Sequence, residues 1–319
     1  MSNEDRMIVK IIKEICQEEA IKFTSYSYDW ILQLEKDGKI GFIFGYNFSI
    51  NNTTSARICD DKCATSDILT YFGIPAVEHF FFMSPNNIHY IGEKGNWNKI
   101  IALFAKYETL VCKANEGSSG EFVFLVKNKA QLEKAIQDIF TNTRTMAISP
   151  FYDIIVEYRV IILNGIVKLI YAKRIPYVTG DGKSTIRQLI IKYMLDNNIL
   201  LRIETIEDHI LDKILKPMEE YSINWKSNLG QGAVPEIIDD KDLILVLTNI
   251  SLKVAEAISI DFASIDIIKT SEGFKVLEVN CGIMMENFIR YAPGNYAIAK
   301  DIYRTALMDM MSNKWGSVK

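Results

Sequence analysis

The sequence predicts an α+β protein built on antiparallel sheets. Helical and strand-like segments are mixed and do not alternate strictly, as they would around a parallel sheet. Two pairs of strand-like segments are joined by short turns. The first pair, 154–163 and 167–174, flanks Asn164-Gly165, which is a strong two-residue hairpin signal. The second pair is 264–269 and 274–280, and hairpins of this kind make antiparallel sheets.

The other elements follow from hydrophobic periodicity and from turn residues. Residues 5–20 repeat apolar side chains at helical spacing. Residues 30–34 and 41–46 are strand-like on both sides of the polar turn 36–39. Further strands are expected over 110–113 and 121–126, and further helices over 60–71, 97–107, 129–140, 185–195, 242–257 and 296–311.

Composition narrows the class of protein. The chain has 319 residues, 49% of them hydrophobic, which fits a well-packed globular protein and not a disordered one. Its net charge of −4 gives no basic field for nucleic acid or an anionic membrane, and no apolar run reaches the roughly 18 residues that span a bilayer. The five cysteines have no paired spacing, which indicates a reducing, cytoplasmic location. We therefore expect small-molecule partners, with no nucleic acid and no membrane.

The second hairpin carries the most informative side chains. If its turn is centred on Glu272, Asp266 lies directly across from Glu278, and Asn280 shares their face. Opposed carboxylates repel each other, and their apolar neighbours make burial costly unless a cation is bound. Ligands that are all oxygen suit Mg²⁺ or Mn²⁺ and not zinc. Asp266, Glu278 and Asn280 therefore predict a metal site, and the alternative is a solvent-exposed acidic face.

A second candidate site begins at Lys113, which ends a predicted strand. The loop Gly117-Ser118-Ser119-Gly120 follows it. A lysine there can contact phosphate oxygens as a point charge, and a glycine-containing loop lets backbone N–H groups approach them closely. The pattern predicts phosphate binding, and the alternative is an exposed lysine before a hairpin turn.

Charged residues on the first hairpin form a third candidate. Glu157 and Arg159 lie two residues apart on one strand, and Arg174 ends the other strand. Such groups either form a structural ion pair or neutralise a transferring phosphoryl group. Residues 226–232 form a polar loop with two glycines, and residues 180–182 form a tight turn without the glycine spacing of a Walker phosphate loop.

The histidines give no signal of catalysis. His79, His89 and His209 show neither triad spacing nor metal-ligand spacing, so core or surface positions are expected for them.

Taken in order, these motifs resemble the ATP-grasp superfamily. The match is to the branch that contains cyanophycin synthetase, the ribosomal-protein glutamate ligase and bacterial glutathione synthetases. It covers roughly two-thirds of the chain. The triplet Asp266, Glu278 and Asn280 matches the family's metal ligands in order and spacing. The stretch 177–186 is similar to the sequence that follows the family's phosphate-contacting arginine, here Arg174.

The resemblance assigns roles to further residues. Arg174, Lys226 and Asn228 would be catalytic, with Asn228 in a loop near the metals. ATP would be held by the entry segment, the glycine loop, the adenine-binding hinge and the ribose-binding strand. The residues concerned are Lys62, Lys113, Gly117, Ser118, Ser119, Gly120, Ser149, Phe151, Glu157 and Arg159. The metal triplet would hold Mg²⁺, with Mn²⁺ as the alternative.

The resemblance also implies an architecture. An ATP-grasp domain over 59–319 would consist of a small lid subdomain at about 85–150 and a large subdomain at about 151–319. Antiparallel sheets of the two subdomains would grip ATP. A short N-terminal α/β segment over 1–58 would lie on the substrate side. Members of the family are often homodimers, and the same assembly is the expectation for this chain.

The activity that the resemblance implies is ligation of a carboxylate to an amine. Mg-ATP would activate the carboxylate as an acyl phosphate, the amine would displace phosphate, and amino acids or small peptides are the expected substrates. The alternatives are an enzyme that modifies a protein side chain or terminus, and a nucleotide-binding regulator that has lost ligation. After Asn280 the family continues with a small residue, proline and glycine, whereas this chain has Cys281-Gly282-Ile283-Met284. The acceptor therefore cannot be transferred from the family.

Overall fold

The structure is a computed structural model that describes residues 6–92, 97–117, 120–197, 201, 206–223 and 229–312. The chain divides into two compact units. The first combines Met1–Ile170 with Asp239–Lys319, and the second is Tyr171–Ile238. Strand pairs with an assigned register run antiparallel in both units, so the predicted α+β class with antiparallel sheets is confirmed.

The first unit begins with a helix and a meander. Helix α1 (Met7–Glu18) forms because its isoleucines recur at helical spacing, and that apolar stripe is fully buried. An antiparallel sheet of four strands follows in sequential order: β1 (Lys22–Tyr26), β2 (Ile31–Lys36), β3 (Lys39–Phe44) and β4 (Asn47–Phe48). Helix α1 and strands β3 and β4 pack against the C-terminal helix α10 (Pro293–Ser312). The predicted N-terminal helix and hairpin are confirmed.

Two short helices connect this sheet to the next. Helix α2 (Thr53–Asp60) is capped by Asn52, and helix α3 (Lys62–Tyr71) is capped by Asp61, whose carboxylate accepts a hydrogen bond from the Ala64 amide. Asn51, just before them, bonds to backbone groups of Asp261 and Phe262. These contacts tie the N-terminal segment to the sheet that carries the candidate metal residues.

A second sheet of four strands has its own hydrophobic core. Its order is β5 (Phe80–Met83), β8 (Thr145–Pro150), β6 (Leu110–Ala114) and β7 (Val123–Val126). Helices α4 (Trp97–Tyr107) and α5 (Lys129–Asn142) cover one face, where side chains such as Phe82, Cys112 and Ile148 are buried. We call these four strands the lid sheet, because β6, β7 and β8 lie in the segment in which the lid subdomain was expected and β5 lies just before it. The predicted subdomain boundaries themselves stay a prediction.

The large sheet of the first unit is made by two hairpins. Strands β9 (Val156–Leu163) and β10 (Ile166–Arg174) are joined at Asn164-Gly165, where both residues have positive φ. Strand β14 (Phe262–Thr270) lies between β9 and β15 (Gly273–Asn280). Helix α8 (Lys241–Ile258) packs on β9 and β14, and the short helix α9 (Glu286–Tyr291) follows β15. Both predicted hairpins are confirmed.

The second unit is small and has a separate core. The end of β10 pairs with β13 (Val234–Ile237), and β11 (Tyr177–Thr179) pairs with β12 (Glu220–Ser222). Helix α6 (Ile186–Asn197) starts at a reciprocal cap in which Thr185 Oγ1 accepts from the Gln188 amide and Gln188 Oε1 accepts from the Thr185 amide. A short helix, α7 (Asp208–Leu211), completes the unit. The tight turn predicted at 180–182 is present, with Asp181 Oδ1 accepting hydrogen bonds from the backbone amides of Lys183 and Ser184.

In the described part of the chain, no helix combines the length and the apolarity that crossing a bilayer requires.

Candidate active site

The register of the β14–β15 hairpin brings the predicted metal residues together. Asp266 pairs directly with Glu278, and Ser264 pairs with Asn280. Paired residues and residues two apart share a face, so these four side chains project to one side of the sheet. The Asn280 amide donates a hydrogen bond to Glu278 Oε1 over 3.2 Å, which leaves the Asn280 Oδ1 available as a ligand. The predicted cross-strand pairing is confirmed.

A β-bulge produces that pairing. The turn is one residue tighter than the sequence suggested, because Thr270 pairs with Gly273. The register then shifts between Asp266 and the next residue, so that Leu277 has no partner across the strands. Without this extra residue, Glu278 would point to the opposite face of the sheet. The bulge therefore places the two carboxylates on the same face.

Arg159 on β9 is the immediate neighbour of the metal residues. Its Nε and one terminal nitrogen donate to the two Asp266 oxygens over 2.7 and 2.6 Å, and Asp266 is fully buried. This bidentate pair offsets part of the desolvation of Asp266. The opposition of Asp266 and Glu278 therefore does not by itself require a metal, because the protein supplies one cation of its own.

Lys113 on the lid sheet interacts electrostatically with Lys62, Glu157 and Glu278, and we call this charged group of the first unit the cleft. Its side chain is only 6% exposed, and burial lowers the pKa of Lys113 to about 8. Lys62 lowers the pKa further, whereas Glu278 and Glu157 act in the opposite direction. No side chain in the described part of the chain hydrogen-bonds to the Lys113 ammonium or forms a salt bridge with it. The residues predicted for phosphate and metal binding thus share one electrostatic environment.

Lys62 supports the glycine loop. Its ammonium donates to the carbonyl oxygens of Asn115 and Gly117, over 3.2 and 2.9 Å. Gly120 has positive φ, while Ser118 and Ser119 of the same loop lie outside the described residues. The predicted nucleotide residues Lys62 and Gly117 are therefore in contact at the point where the loop leaves β6.

The predicted adenine hinge lies at the end of β8. Ser149 is buried, and the Phe151 amide donates to the Thr109 carbonyl. Phe151 also lines a pocket of about 350 Å³ with Tyr107 and Tyr152. Glu157, the predicted ribose residue, is buried at the start of β9, on the same face as Arg159.

The predicted catalytic residues fall in the second unit. Arg174 ends β10 and forms an ion pair with Glu236 on β13, which lowers the pKa of Glu236. The Arg174 side chain is half exposed and lines a pocket of about 320 Å³ with Tyr177. Lys226 and Asn228 lie outside the described residues. The catalytic roles of all three stay predictions.

The segment after Asn280 is covered by the N-terminal meander. The Ile283 amide donates to the Tyr46 carbonyl, and the Tyr46 hydroxyl donates to Glu286 Oε1 over 2.8 Å. A Cβ added at Gly282 would lie 3.5 Å from the Asn47 side chain. Sequence reasoning missed this contact, because nothing in the N-terminal segment indicates which loop it covers.

The donor groups of the cleft fit a divalent cation and a polyphosphate. Asp266, Glu278 and Asn280 can offer oxygen ligands only, which Mg²⁺ prefers. The described residues contain no cluster of three or more His, Cys, Asp or Glu that could hold a metal, so a metal here would depend on two carboxylates and the Asn280 amide. Glu278 and Glu157 act on the Lys113 ammonium electrostatically, but no described residue forms a salt bridge with it, and a phosphate would supply that direct anionic contact.

The described part of the chain thus carries a buried lysine on one sheet and an oxygen-rich hairpin on another, and comparison with known proteins identifies the fold. The chain has the ATP-grasp fold, and residues 178–304 match the family described as the RimK-like ATP-grasp domain. It is similar over its length to a solved bifunctional glutathione synthetase from Pasteurella multocida, with a TM-score of 0.57 and 16% identity. That alignment covers 94% of this chain and 44% of the other. The predicted fold is confirmed.

Sequence relatives belong to the branch that the motifs suggested. The chain is 36% identical over 158 residues to a cyanophycin synthetase from Synechocystis, covering 43% of this chain and 17% of the relative. It is 36% identical over 69 residues to a tetrahydromethanopterin:alpha-L-glutamate ligase from Methanococcus maripaludis, covering 22% and 23%. The chain thus spans about a fifth of the length of these curated relatives.

Proposed function

We propose that this protein is an ATP-dependent ligase that joins a carboxylate to an amine. The observation that carries the proposal is this cleft, where the buried Lys113 interacts electrostatically with Glu278 and Glu157 and no described side chain hydrogen-bonds to its ammonium. Relatives named as ligases support the same class of reaction. An amino acid or small peptide is the substrate class that these names favour.

The reaction proceeds in two displacements. A carboxylate oxygen of the first substrate attacks the γ-phosphorus of ATP, the bond to the bridging β-phosphate oxygen breaks, and ADP leaves. The amine nitrogen of the second substrate then attacks the acyl carbon. It loses a proton and expels inorganic phosphate, which carries away one oxygen of the original carboxylate. Both steps depend on positioning and on charge stabilisation, with no protein nucleophile.

The residues of the cleft have separate tasks. Lys113 would place a positive charge beside the phosphates, because its buried ammonium makes no hydrogen bond or salt bridge with a side chain in the described part of the chain. Lys62 fixes the start of the glycine loop. Asp266, Glu278 and Asn280 would hold Mg²⁺, which offsets phosphate charge when it is bound. Arg159 orients the Asp266 carboxylate through its two hydrogen bonds.

The proposal is tested by a screen of ADP formation with Mg-ATP and pairs of amino acids. A ligase forms ADP only when both a carboxylate and an amine are present, and mass spectrometry detects a product lighter than the two substrates by one water. With an ¹⁸O-labelled carboxylate, one labelled oxygen appears in the released phosphate. Label that stays entirely in the product would refute the acyl phosphate route.

Two variants sharpen this assay. Glu278→Gln removes a charge from the candidate metal set without changing its shape, and we expect it to abolish ADP formation. Lys134→Met changes an exposed lysine on α5 and serves as the matched control. A regulator without ligase activity would show nucleotide binding with no substrate-dependent ADP in either protein.

A further inference from the structure

His79 is a buried histidine whose ring nitrogens have no partner. The residue is 6% exposed, and neither Nδ1 nor Nε2 makes a hydrogen bond. An unsatisfied buried donor or acceptor costs about 1–3 kcal/mol, so such groups in a native protein call for an explanation. The sequence predicted only a core or surface position for His79.

The strand register shows which way His79 faces. Phe80, Ile148 and Cys112 lie side by side across the lid sheet and face its hydrophobic core. His79 immediately precedes Phe80, and Lys113 immediately follows Cys112, so both project to the opposite side. His79 and Lys113 therefore share the face of the lid sheet that is turned away from its core.

The charges around His79 keep it neutral. Burial lowers the pKa of His79 well below its ordinary value, and Lys113 and Lys62 lower it further. The Val77 carbonyl acts on the ring as a hydrogen-bond acceptor and raises the pKa, although the contact lies outside normal hydrogen-bond geometry. A neutral imidazole offers one N–H donor without adding a third positive charge between two lysines. An anion held by those lysines would lie beside that donor.

We propose that His79 is a third, uncharged phosphate-binding residue, which donates a ring N–H to the polyphosphate held by Lys62 and Lys113. This inference rests on the proposed function, because it takes the ligand to be a nucleoside di- or triphosphate. The contact would satisfy a nitrogen that is otherwise unpaired, and the phosphate charge would offset the field of the two lysines. A buried water at His79 is the competing explanation, and the experiments below separate the two.

The first experiment is calorimetry with ADP and with adenosine, without metal. We expect His79→Phe to weaken ADP binding by about tenfold or more, since a hydrogen bond to a charged group is lost, and to leave adenosine binding unchanged. A side-chain amide can also donate a hydrogen bond. We therefore expect His79→Asn or His79→Gln, whichever places its NH₂ group where the ring N–H was, to restore part of the lost ADP affinity. His89→Gln changes an exposed histidine and is the control.

The second experiment observes the wild-type protein directly. Titration of the imidazole ¹⁵N resonances, with and without tripolyphosphate, should show the pKa of His79 rising when the anion binds. This readout does not depend on whether a variant folds. Thermal unfolding should show His79→Phe to be no less stable than wild type, because it removes unpaired nitrogens.

Several outcomes would overturn the inference. Unchanged ADP affinity in His79→Phe would favour a buried water, and an equal loss for adenosine would mean that His79 contacts the base. An imidazole that does not respond to tripolyphosphate would exclude the phosphate contact. If wild type binds ADP and forms product while His79→Phe does both equally well, the proposed function stands and only the role of His79 fails. If wild type binds no ADP, the proposed function fails first.

Discussion

Replacing Lys113 by methionine tests the charge balance of the cleft. Burial lowers the pKa of Lys113 from its ordinary 10.5 to about 8. Because each pKa unit corresponds to about 1.4 kcal/mol, the charged ammonium destabilises the nucleotide-free protein by about 3 kcal/mol at neutral pH. Methionine keeps an unbranched apolar stem without the charge. We therefore expect Lys113→Met to raise the free energy of unfolding by up to that amount.

The pH dependence of this difference follows from the direction of the pKa shift. Between about pH 8 and pH 10.5 the unfolded chain holds a proton at Lys113 that the folded protein has released. The free energy of unfolding of wild type therefore gains a contribution from Lys113 that increases with pH through this range, and the variant lacks this contribution. Chemical denaturation of both proteins from neutral to alkaline pH measures the effect. The variant should be more stable at neutral pH, and the gap should close as the pH rises.

Lys134→Met is the control for this measurement, since its lysine is exposed and its replacement should give no pH-dependent gap. Titration of the tyrosines affects wild type and variant alike, so it cancels in the difference. If Lys113→Met is less stable than wild type at every pH, the ammonium has a stabilising partner and the reasoning is wrong. The same variant should bind ADP more weakly, which separates stability from function at one residue.

Three further predictions concern backbone packing, a link between segments and the metal site. Gly180→Ala would place a Cβ 2.2 Å from the Lys216 carbonyl oxygen, so we expect a loss of about 1–3 kcal/mol in the free energy of unfolding. Gly165→Ala, in open space, should lose only the smaller strain of positive φ, and equal losses would contradict the packing argument. Asn51→Ala removes three hydrogen bonds to backbone groups and should lower the free energy of unfolding by about 2 kcal/mol or more, measured by denaturation. Glu278→Gln should keep the far-ultraviolet circular dichroism spectrum while losing ADP formation; normal turnover would remove Glu278 from the site.

Most helices and both principal hairpins could be predicted from the sequence, because local patterns determine them. The isoleucine repeat defines α1, and Asn164-Gly165 defines the β9–β10 turn. Strands β5 and β8 were not predicted. Their residues are buried by pairing within the lid sheet and by helices distant in sequence, and such contacts leave no periodic signal of their own.

Asp266, Glu278 and Asn280 form the cross-strand group that the sequence predicts, but two features of the structure that produce this group were not predicted. A regular hairpin was expected from the sequence. The structure instead has a tighter turn and a bulge at Leu277, which together restore the pairing of Asp266 with Glu278. A bound metal ion was also expected to be the cation that relieves the repulsion between the two carboxylates. Arg159 supplies a cation from the neighbouring strand, and no short-range pattern could have shown that register.

His79 could not be recognised as a site residue from the sequence. A lone histidine with no motif is usually structural, and its significance depends on the unpaired nitrogens and the two lysines nearby. The contact of the N-terminal meander could not be predicted either, because only the fold shows that Tyr46 covers the segment after Asn280. Both features depend on contacts between residues far apart in the chain.

The central claim is that Glu278 and its neighbours bind a divalent cation together with the nucleotide phosphates. Calorimetry of ADP binding with and without Mg²⁺, in wild type and Glu278→Gln, tests this claim most directly. We predict that Mg²⁺ strengthens ADP binding in wild type and has little effect in the variant. Equal strengthening in both proteins, or none in wild type, would contradict the account.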